Sequence, residues 1–180
     1  IVPLLREIGC DVATVASQDI QDGRFPTVKS PNPENSEALT LAIDQANASG
    51  ADIVIATDPD CDRMGVAVRE ASGNMRLLTG NQVGSLLAWY RCKTMTELGW
   101  INDATRSHAV MIKTFVTSQL QDAIGHRYGI EVVNVLTGFK YIAQKLGKYE
   151  EAIPAAKRSN YRTMTEEATR ALRLEYSRFF

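Results

Sequence analysis

The stretch IVIATDPDCDRMGVAV, residues 53–68, decides the fold. It opens with an apolar run, Ile53 to Ala56, whose length and composition are typical of a strand buried on both faces. An acidic loop, residues 58–63, follows at once, and β-branched residues resume at Val66. The pattern predicts a buried strand, a sharp loop and a second strand. It places the acidic loop beyond the end of a strand, where α/β proteins bind their ligands.

The acidic loop holds the first candidates for function, Asp58, Asp60 and Asp62. Three carboxylates within five residues repel one another, and a hard divalent cation would compensate them, because Mg²⁺ and Ca²⁺ prefer oxygen ligands. Arg63 directly after them can hold a phosphoryl oxygen while the metal neutralises the remaining charge. On local spacing alone a solvated acidic turn stays open as the alternative, since surface aspartates are common.

Two other kinds of acidic loop fit this sequence less well. An EF-hand needs Gly at its sixth position and Glu at its twelfth, and counting from Asp58 these positions hold Arg63 and Arg69. Phosphatases of the haloacid-dehalogenase type use an aspartate nucleophile in a DxDx[T/V] loop, and here Asp62 stands at the Thr or Val position. A metal-dependent phosphatase with Asp58 as nucleophile and a non-catalytic module that binds divalent metal remain the rival hypotheses.

Helix and strand patterns continue outward through the first half of the chain. Apolar residues at helical spacing predict a helix over residues 36–49, ended by Gly50. Residues 66–68 and 75–78 are predicted to form a hairpin. Residues 11–16, DVATVA, predict a further short strand because β-branched residues favour strands.

The second half repeats the alternation. Its predicted strands cover residues 108–112 and 130–133. Its predicted helices cover residues 81–98 and 118–128, a segment from Lys140, and a segment from Thr163, where Thr163 and Glu166 have capping-box spacing. The whole pattern predicts an α/β fold of two small layered domains, each with a mixed, mostly parallel sheet flanked by helices.

The charge of the 180 residues is unevenly distributed. Residues 1–79 carry 6 Lys+Arg and 12 Asp+Glu, a net charge of −6, and residues 80–180 carry 14 and 9, a net charge of +5. This asymmetry predicts two units with a boundary between residues 79 and 80. The overall charge of −1 argues against a nucleic-acid partner, and no apolar run reaches the roughly 18 residues of a membrane span. The three cysteines lack disulfide or zinc spacing and indicate a reducing, cytoplasmic compartment.

The acidic loop resembles the metal loop of the α-D-phosphohexomutase superfamily, the phosphoglucomutases and phosphomannomutases, which reads D-G/P-D-x-D-R. Further segments are similar to successive parts of the same family: residues 25–27, 31–34, 78–82, 113–118, 136–140, 158–162 and 176–180. By this resemblance, residues 1–79 are the family's domain 2 without its first strand. Residues 80–180 are its domain 3, truncated before the sugar-recognition loop.

The resemblance implies a mutase that interconverts hexose 1-phosphate and hexose 6-phosphate of glucose or mannose. In this family a phosphoserine donates its phosphoryl group to the sugar, and a hexose 1,6-bisphosphate intermediate returns the other phosphate to the serine. The implied Mg²⁺ ligands are Asp58, Asp60 and Asp62. Arg63 would contact the phosphoryl group, Lys140 would approach the sugar and help with proton transfer or phosphate binding, and Thr137 and Gly138 would shape the loop that carries Lys140.

Several parts of the family pattern are missing from the sequence. The T-A-S-H-N-P phosphoserine loop, the G-E-x-S-G sugar loop and the family's domains 1 and 4 have no counterpart here. The chain opens with Ile1 and closes on Phe179 and Phe180, which predicts a piece of a larger protein. We therefore expect this chain to lack mutase activity by itself and to need domains 1 and 4 of its parent.

Overall fold

The computed structural model describes residues 1–179, which form helices and strands, and Phe180 lies outside the described part. The residues group into two units, one of residues 1–83 and one that begins at Gly84. The helices are α1 (Val2–Glu7), α2 (Ser36–Ser49), α3 (Gly80–Glu97), α4 (Leu120–Tyr128), α5 (Phe139–Glu151), α6 (Ala155–Arg158) and α7 (Glu166–Tyr176). The strands are β1 (Ile53–Thr57), β2 (Met64–Arg69), β3 (Met75–Leu78), β4 (Val110–Thr114) and β5 (Glu131–Val135). The predicted α/β class is confirmed.

The sheet of the first unit has the order β1-β2-β3. Strand β1 pairs with β2 from Ile53↔Val68 to Thr57↔Met64, and β2 pairs with β3, both antiparallel. The predicted hairpin between residues 66–68 and 75–78 is confirmed, but the expectation of a mostly parallel sheet is wrong for this unit. Strands joined by short loops can only pair antiparallel, because a parallel pair needs a long crossover connection.

The predicted strand over residues 11–16 does not form. Two of its carbonyls accept hydrogen bonds from side chains and not from a neighbouring strand. Arg6 donates to the carbonyl of Val12 at 3.1 Å, and Gln45 donates to the carbonyl of Thr14 at 3.2 Å. A β-branched composition favours a strand only where a neighbouring strand completes the hydrogen bonds. No such neighbour faces this segment among the described strands, so the sheet stops at β1.

Helix α2 covers the sheet of the first unit and ends as predicted, with Gly50 in the left-handed region at a φ of +74°. The core between helix and sheet contains Leu39, Ala46, Val54 and Ala67. Arg69 closes the end of the helix, because its guanidinium donates to the carbonyl of Ala46 at 2.7 Å. This packing fixes the β1–β2 hairpin, which carries the acidic loop, against helix α2.

The second unit contains a β4–α4–β5 segment whose strands are parallel, from Val110↔Glu131 to Thr114↔Val135. The expected parallel pairing is confirmed here. Strand β4 lies two residues further along than predicted, and β5 begins one residue later and ends two residues later. Phe179 forms one parallel bridge with Ala109 on the other side of β4. The core of this unit contains Cys92, Met95, Ile101, Ala109, Ile130 and Phe179.

The last helix begins at Glu166, two to three residues later than predicted. The capping residue is Thr165, whose hydroxyl accepts the Ala168 N–H at 3.3 Å, and Thr163 lies in a short 3₁₀ turn. Both threonines are good caps by residue type. Thr165 is the one followed directly by two glutamates, which are favoured in a first helical turn.

Candidate functional site

The acidic loop connects β1 to β2 as a closed turn. The Cys61 N–H donates to the Asp58 carbonyl at 3.1 Å, and Cys61 itself adopts a left-handed φ of +60°. Oxygen atoms of Asp58, Asp60 and Asp62 lie within 4.8 Å of one another as a result. Two ligands on opposite sides of one Mg²⁺ or Ca²⁺ ion are separated by about 4–5 Å, so this spacing suits a single ion.

Asp58 is the buried member of the cluster, and Arg63 holds it in place. The Arg63 N–H donates to Oδ1 of Asp58 at 3.2 Å, and Arg63 Nε donates to Oδ2 at 2.8 Å. Burial opposes ionisation of Asp58, but the hydrogen bonds from Arg63 outweigh it and lower the pKa of Asp58. The same contact raises the pKa of Arg63. Asp58 is therefore an ionised carboxylate with a fixed orientation.

Asp60 and Asp62 are exposed members of the cluster. Hydrogen bonding to Asp58 raises the pKa of Asp62, and partial desolvation and the negative charges of Asp60 and Asp58 raise it further. Asp62 holds its proton more strongly because three negative charges would gather in one place, and Arg63, whose Nε lies 3.5 Å from Oδ1 of Asp62, offsets this only in part. An all-oxygen donor set that carries excess negative charge fits a hard divalent cation.

A segment far away in sequence supports the exit of the acidic loop. A Cβ atom on Gly65 would lie only 2.2 Å from the backbone oxygen of Pro33, so no other residue fits there without a backbone shift. The negative charge of Glu34 contributes to the raised pKa of Arg63. Sequence reasoning missed Pro33 and Glu34 as neighbours of the loop. The one available signal was the glycine that follows the acidic residues.

The second group of candidates lies in the Lys140 loop, residues 136–140, between β5 and α5. All five residues are exposed, and Gly138 has a φ of +127° at the point where α5 begins. Lys140 occupies the first turn of α5, with Nζ 4.9 Å from the centroid of the Tyr141 ring. A cation at this end of a helix is unfavourable with respect to the helix dipole, so a nearby anion would stabilise it.

A crevice of about 280 Å³ opens beside the Lys140 loop, beyond the carboxyl end of β5. Its lining combines apolar side chains with lysines and amides: Phe115, Asn134, Val135, Leu136, Tyr141, Gln144, Lys145 and Lys148. Crevices at the carboxyl ends of parallel strands are common ligand sites in α/β folds. The charge of this one suits an anion.

In the sequence, Lys113 begins the family-like segment 113–118, directly after the predicted strand over residues 108–112. In the structure its side chain is 5% exposed and lies 2.8 Å from Oδ2 of Asp122. Hydrogen bonds from Lys113 and Asn134 lower the pKa of Asp122. Sequence reasoning missed Asp122 and Asn134, and the available signal was a lysine inside an otherwise apolar strand, VMIKT.

The fold and the acidic cluster define an α/β protein with a loop suited to a divalent metal. Residues 1–73 match the family model described as phosphoglucomutase/phosphomannomutase, alpha/beta/alpha domain II, and residues 79–156 match the model for domain III. The chain belongs to the phosphoglucomutase/phosphomannomutase family.

Curated relatives show how much of such a protein the chain represents. It is 39% identical over 137 residues to the phosphoglucomutase of Staphylococcus aureus strain USA300, and 38% identical to that of strain N315. Each match covers 76% of this chain and 23% of the relative. The chain thus spans about a quarter of the length of these relatives.

A solved structure shares the fold. A phosphoglucomutase/phosphomannomutase family protein from Burkholderia thailandensis superposes with a TM-score of 0.63 at 21% identity, covering 82% of this chain and 28% of that chain. Within residues 1–179, no helix has both the length and the apolar composition that crossing a membrane requires.

Proposed function

We propose that this chain is the metal-binding and sugar-contacting middle part of a phosphohexose mutase. Residues 1–79 then correspond to domain 2 and residues 80–180 to domain 3. One observation carries the proposal: three carboxylates gather within 4.8 Å in the acidic loop, inside the segment that matches domain II. Such a cluster is unfavourable without a cation and useful beside a migrating phosphoryl group.

In this proposal Asp58, Asp60 and Asp62 hold Mg²⁺, which supplies positive charge next to the phosphoryl group when it is bound. Arg63 has two tasks. Its Nε holds Asp58, while its side chain, 48% exposed, can also contact a phosphoryl oxygen. Arginine suits this double task because its planar fork presents several donors in fixed directions.

The Lys140 loop contacts the hexose phosphate in this proposal. Lys140 carries the charge that binds a phosphate or moves a proton at a sugar hydroxyl, and Thr137 and Gly138 shape the loop through their backbone. The exposure of the whole loop and the lysine-lined crevice beside it support an anionic ligand there.

The complete reaction belongs to the parent protein. We propose that it converts hexose 1-phosphate and hexose 6-phosphate by way of a phosphoserine and a hexose 1,6-bisphosphate, in the cytoplasm. Relatives named phosphoglucomutase are 39% identical, and the chain spans 23% of their length, so domains 1 and 4 of the parent would supply the phosphoserine and the remaining phosphate contacts. We expect the chain by itself to be inactive, and a coupled assay with glucose 1-phosphate tests this.

The metal proposal is tested by titrating this chain with Mg²⁺ and following its backbone amide signals by NMR. We expect Asp60→Asn to weaken binding by about tenfold, because one charged ligand is lost. Asp52→Asn, an exposed aspartate at the other end of β1, is the matched control and should bind as the unmodified chain does. The metal-free Asp60→Asn chain should stay folded, since losing one of three crowded charges relieves repulsion.

Equal Mg²⁺ affinity in the two variants would contradict the metal site. Tight Ca²⁺ binding with little response to Mg²⁺ would favour the non-catalytic module instead. The phosphatase hypothesis requires Asp58 to attack phosphorus, whereas Arg63 donates a hydrogen bond to each of its carboxylate oxygens, which lowers their nucleophilicity. Trapping of a phospho-aspartate analogue by beryllofluoride at Asp58 would restore that hypothesis.

A further inference from the structure

Lys113 is a buried charge that the proposed reaction does not use. Its ammonium lies 2.8 Å from Oδ2 of Asp122 and donates to the carbonyl of Thr117 at 3.4 Å. A buried ammonium is tolerated only where partners replace its hydration. The contacts of Lys113 therefore restrict the positions of Asp122 and Thr117.

These contacts join four segments of the second unit. Lys113 lies on β4, Thr117 in the loop that follows β4, and Asp122 in the first turn of α4. Asp122 also accepts a hydrogen bond from Nδ2 of Asn134 on β5 at 3.1 Å. Asn134 is the direct strand partner of Lys113. Asp122 on α4 thus links the neighbouring strands β4 and β5 through their side chains.

The bridge lies one residue before both strands end. The last pair is Thr114↔Val135, and the Phe115 N–H donates to the Val135 carbonyl at 3.1 Å just beyond it. The hydroxyls of Thr114 and Thr117 lie 3.0 Å apart. Directly after Val135 the chain enters the Lys140 loop. The Lys113 contacts therefore lie directly beside the points where two loops leave the sheet.

We propose that Lys113 is a positioning residue for the Lys140 loop and for residues 115–118. Through Asp122 and Asn134 it fixes the carboxyl end of β5, and through Thr117 it fixes the loop after β4. The inference rests on the proposed function of the Lys140 loop as the sugar-phosphate contact. Among the described residues, the Lys113 ammonium makes no hydrogen bond or ion pair with the Lys140 loop, and Lys113 meets the crevice lining through Asn134, its strand partner.

The choice of a charged residue supports positioning over bulk stability. Replacing a buried ion pair by apolar or neutral residues of similar volume is often neutral or stabilising, so a stable unit does not require the pair. The ion pair and the hydrogen bond from Asn134 to the same carboxylate have preferred distances and angles, which an apolar contact lacks. They therefore hold the ends of β4 and β5 in one arrangement.

The experiment is amide hydrogen exchange by NMR on this chain, with Lys113→Met combined with Asp122→Asn so that no charge is left unpaired. We expect the amides of Phe115, Thr117 and Tyr141 to exchange about tenfold faster. The amides of Trp100 and Ile101, which both donate to the carbonyl of Met95 on α3, should stay within about twofold. Lys93→Met, which removes an exposed ion pair with Glu97, is the control and should leave all five unchanged.

A second variant separates the two arms of the bridge. Asn134→Leu keeps the ion pair and removes only the link from Asp122 to β5. We expect faster exchange at Tyr141 and unchanged exchange at Thr117. Uniform acceleration throughout the second unit in both variants would reduce Lys113 to a general stability role and overturn the inference, as would unchanged exchange at Phe115, Thr117 and Tyr141.

A kinetic arm separates this inference from the proposed function. In the full-length parent, Lys113→Met with Asp122→Asn should lower kcat/KM for the hexose phosphate by about tenfold at an unchanged unfolding midpoint. Unchanged kcat/KM would overturn the role in positioning. If the unmodified parent has no mutase activity, the proposed function fails, and the amide exchange still decides whether Lys113 positions the loops.

Discussion

At the scale of single residues, the acidic loop works through the contact between Arg63 and Asp58. Asp58 is ionised although it is buried, because Arg63 donates to both of its oxygens. The other two aspartates add negative charge that Arg63 offsets only in part, and the pKa of Asp62 is raised accordingly. The loop therefore holds one firmly ionised ligand and others whose ionisation a bound cation would favour.

This arrangement predicts the effect of removing Arg63. Arg63→Gln should raise the pKa of Asp58, because the guanidinium hydrogen bond and positive charge are lost while burial and the hydrogen bond from the backbone N–H of residue 63 remain. The change is measured by a ¹³C titration of the aspartate carboxyls. Arg76→Gln, which removes an exposed partner of Glu70, is the control and should leave Asp58 unaffected. A pKa of Asp58 that stays low in Arg63→Gln would show that another group stabilises the carboxylate.

At the scale of elements, α4 reaches the sheet through a residue without a side chain. A Cβ atom on Gly125 would lie 2.2 Å from Cγ2 of Val132 on β5. The absence of that atom lets the helix approach β5 closely enough for Asp122, three residues earlier on α4, to bind Asn134. The glycine and the Lys113 contacts are thus parts of one packing arrangement.

Gly125→Ala should therefore lower the free energy of unfolding of the second unit by roughly 1–3 kcal/mol, because the helix must move or Val132 must leave its rotamer. Gly147→Ala on α5 is the matched control. No atom lies within 4 Å of a Cβ there, so alanine should stabilise the chain by about 0.5–1 kcal/mol through its helix propensity. Urea unfolding followed by circular dichroism measures both changes, and equal effects of the two substitutions would refute the close-approach explanation.

At the scale of the whole molecule, charge makes the chain sensitive to acid. The pKa of Asp122 is lowered in the folded state by Lys113 and Asn134. A carboxylate with a lowered pKa stabilises the fold above its unfolded value of about 3.9, and this contribution is lost as the pH falls through the folded value. We expect the midpoint of urea unfolding of the second unit to decrease when the pH is lowered below about 4. The decrease should be smaller in the variant that combines Lys113→Met with Asp122→Asn. An identical pH dependence of the two proteins would contradict this contribution of Asp122.

Much of the local structure could be predicted from the residues in order. The spacing of apolar residues and the glycine at position 50 predicted α2 correctly, and the short turn between residues 69 and 75 predicted the hairpin. The residue types of the acidic loop and its place after an apolar run identified the family and the candidate metal ligands. Capping, periodicity and turn chemistry act within a few residues, so neighbouring side chains suffice to predict them.

Other features depend on residues that meet only in the folded chain. Residues 11–16 have the composition of a strand, yet the side chains of Arg6 and Gln45 donate hydrogen bonds to two of their carbonyls. No strand forms there, and the first sheet contains the three antiparallel strands β1, β2 and β3. Likewise, Lys113 becomes a buried ion-pair partner only because α4 brings Asp122 over β4 and β5. Burial and ion pairing are long-range consequences of packing, and their energies depend on which distant groups replace water. The sequence by itself thus determined the chemistry of the acidic loop, and the tertiary structure decided which of its charged residues are buried and what each one holds in place.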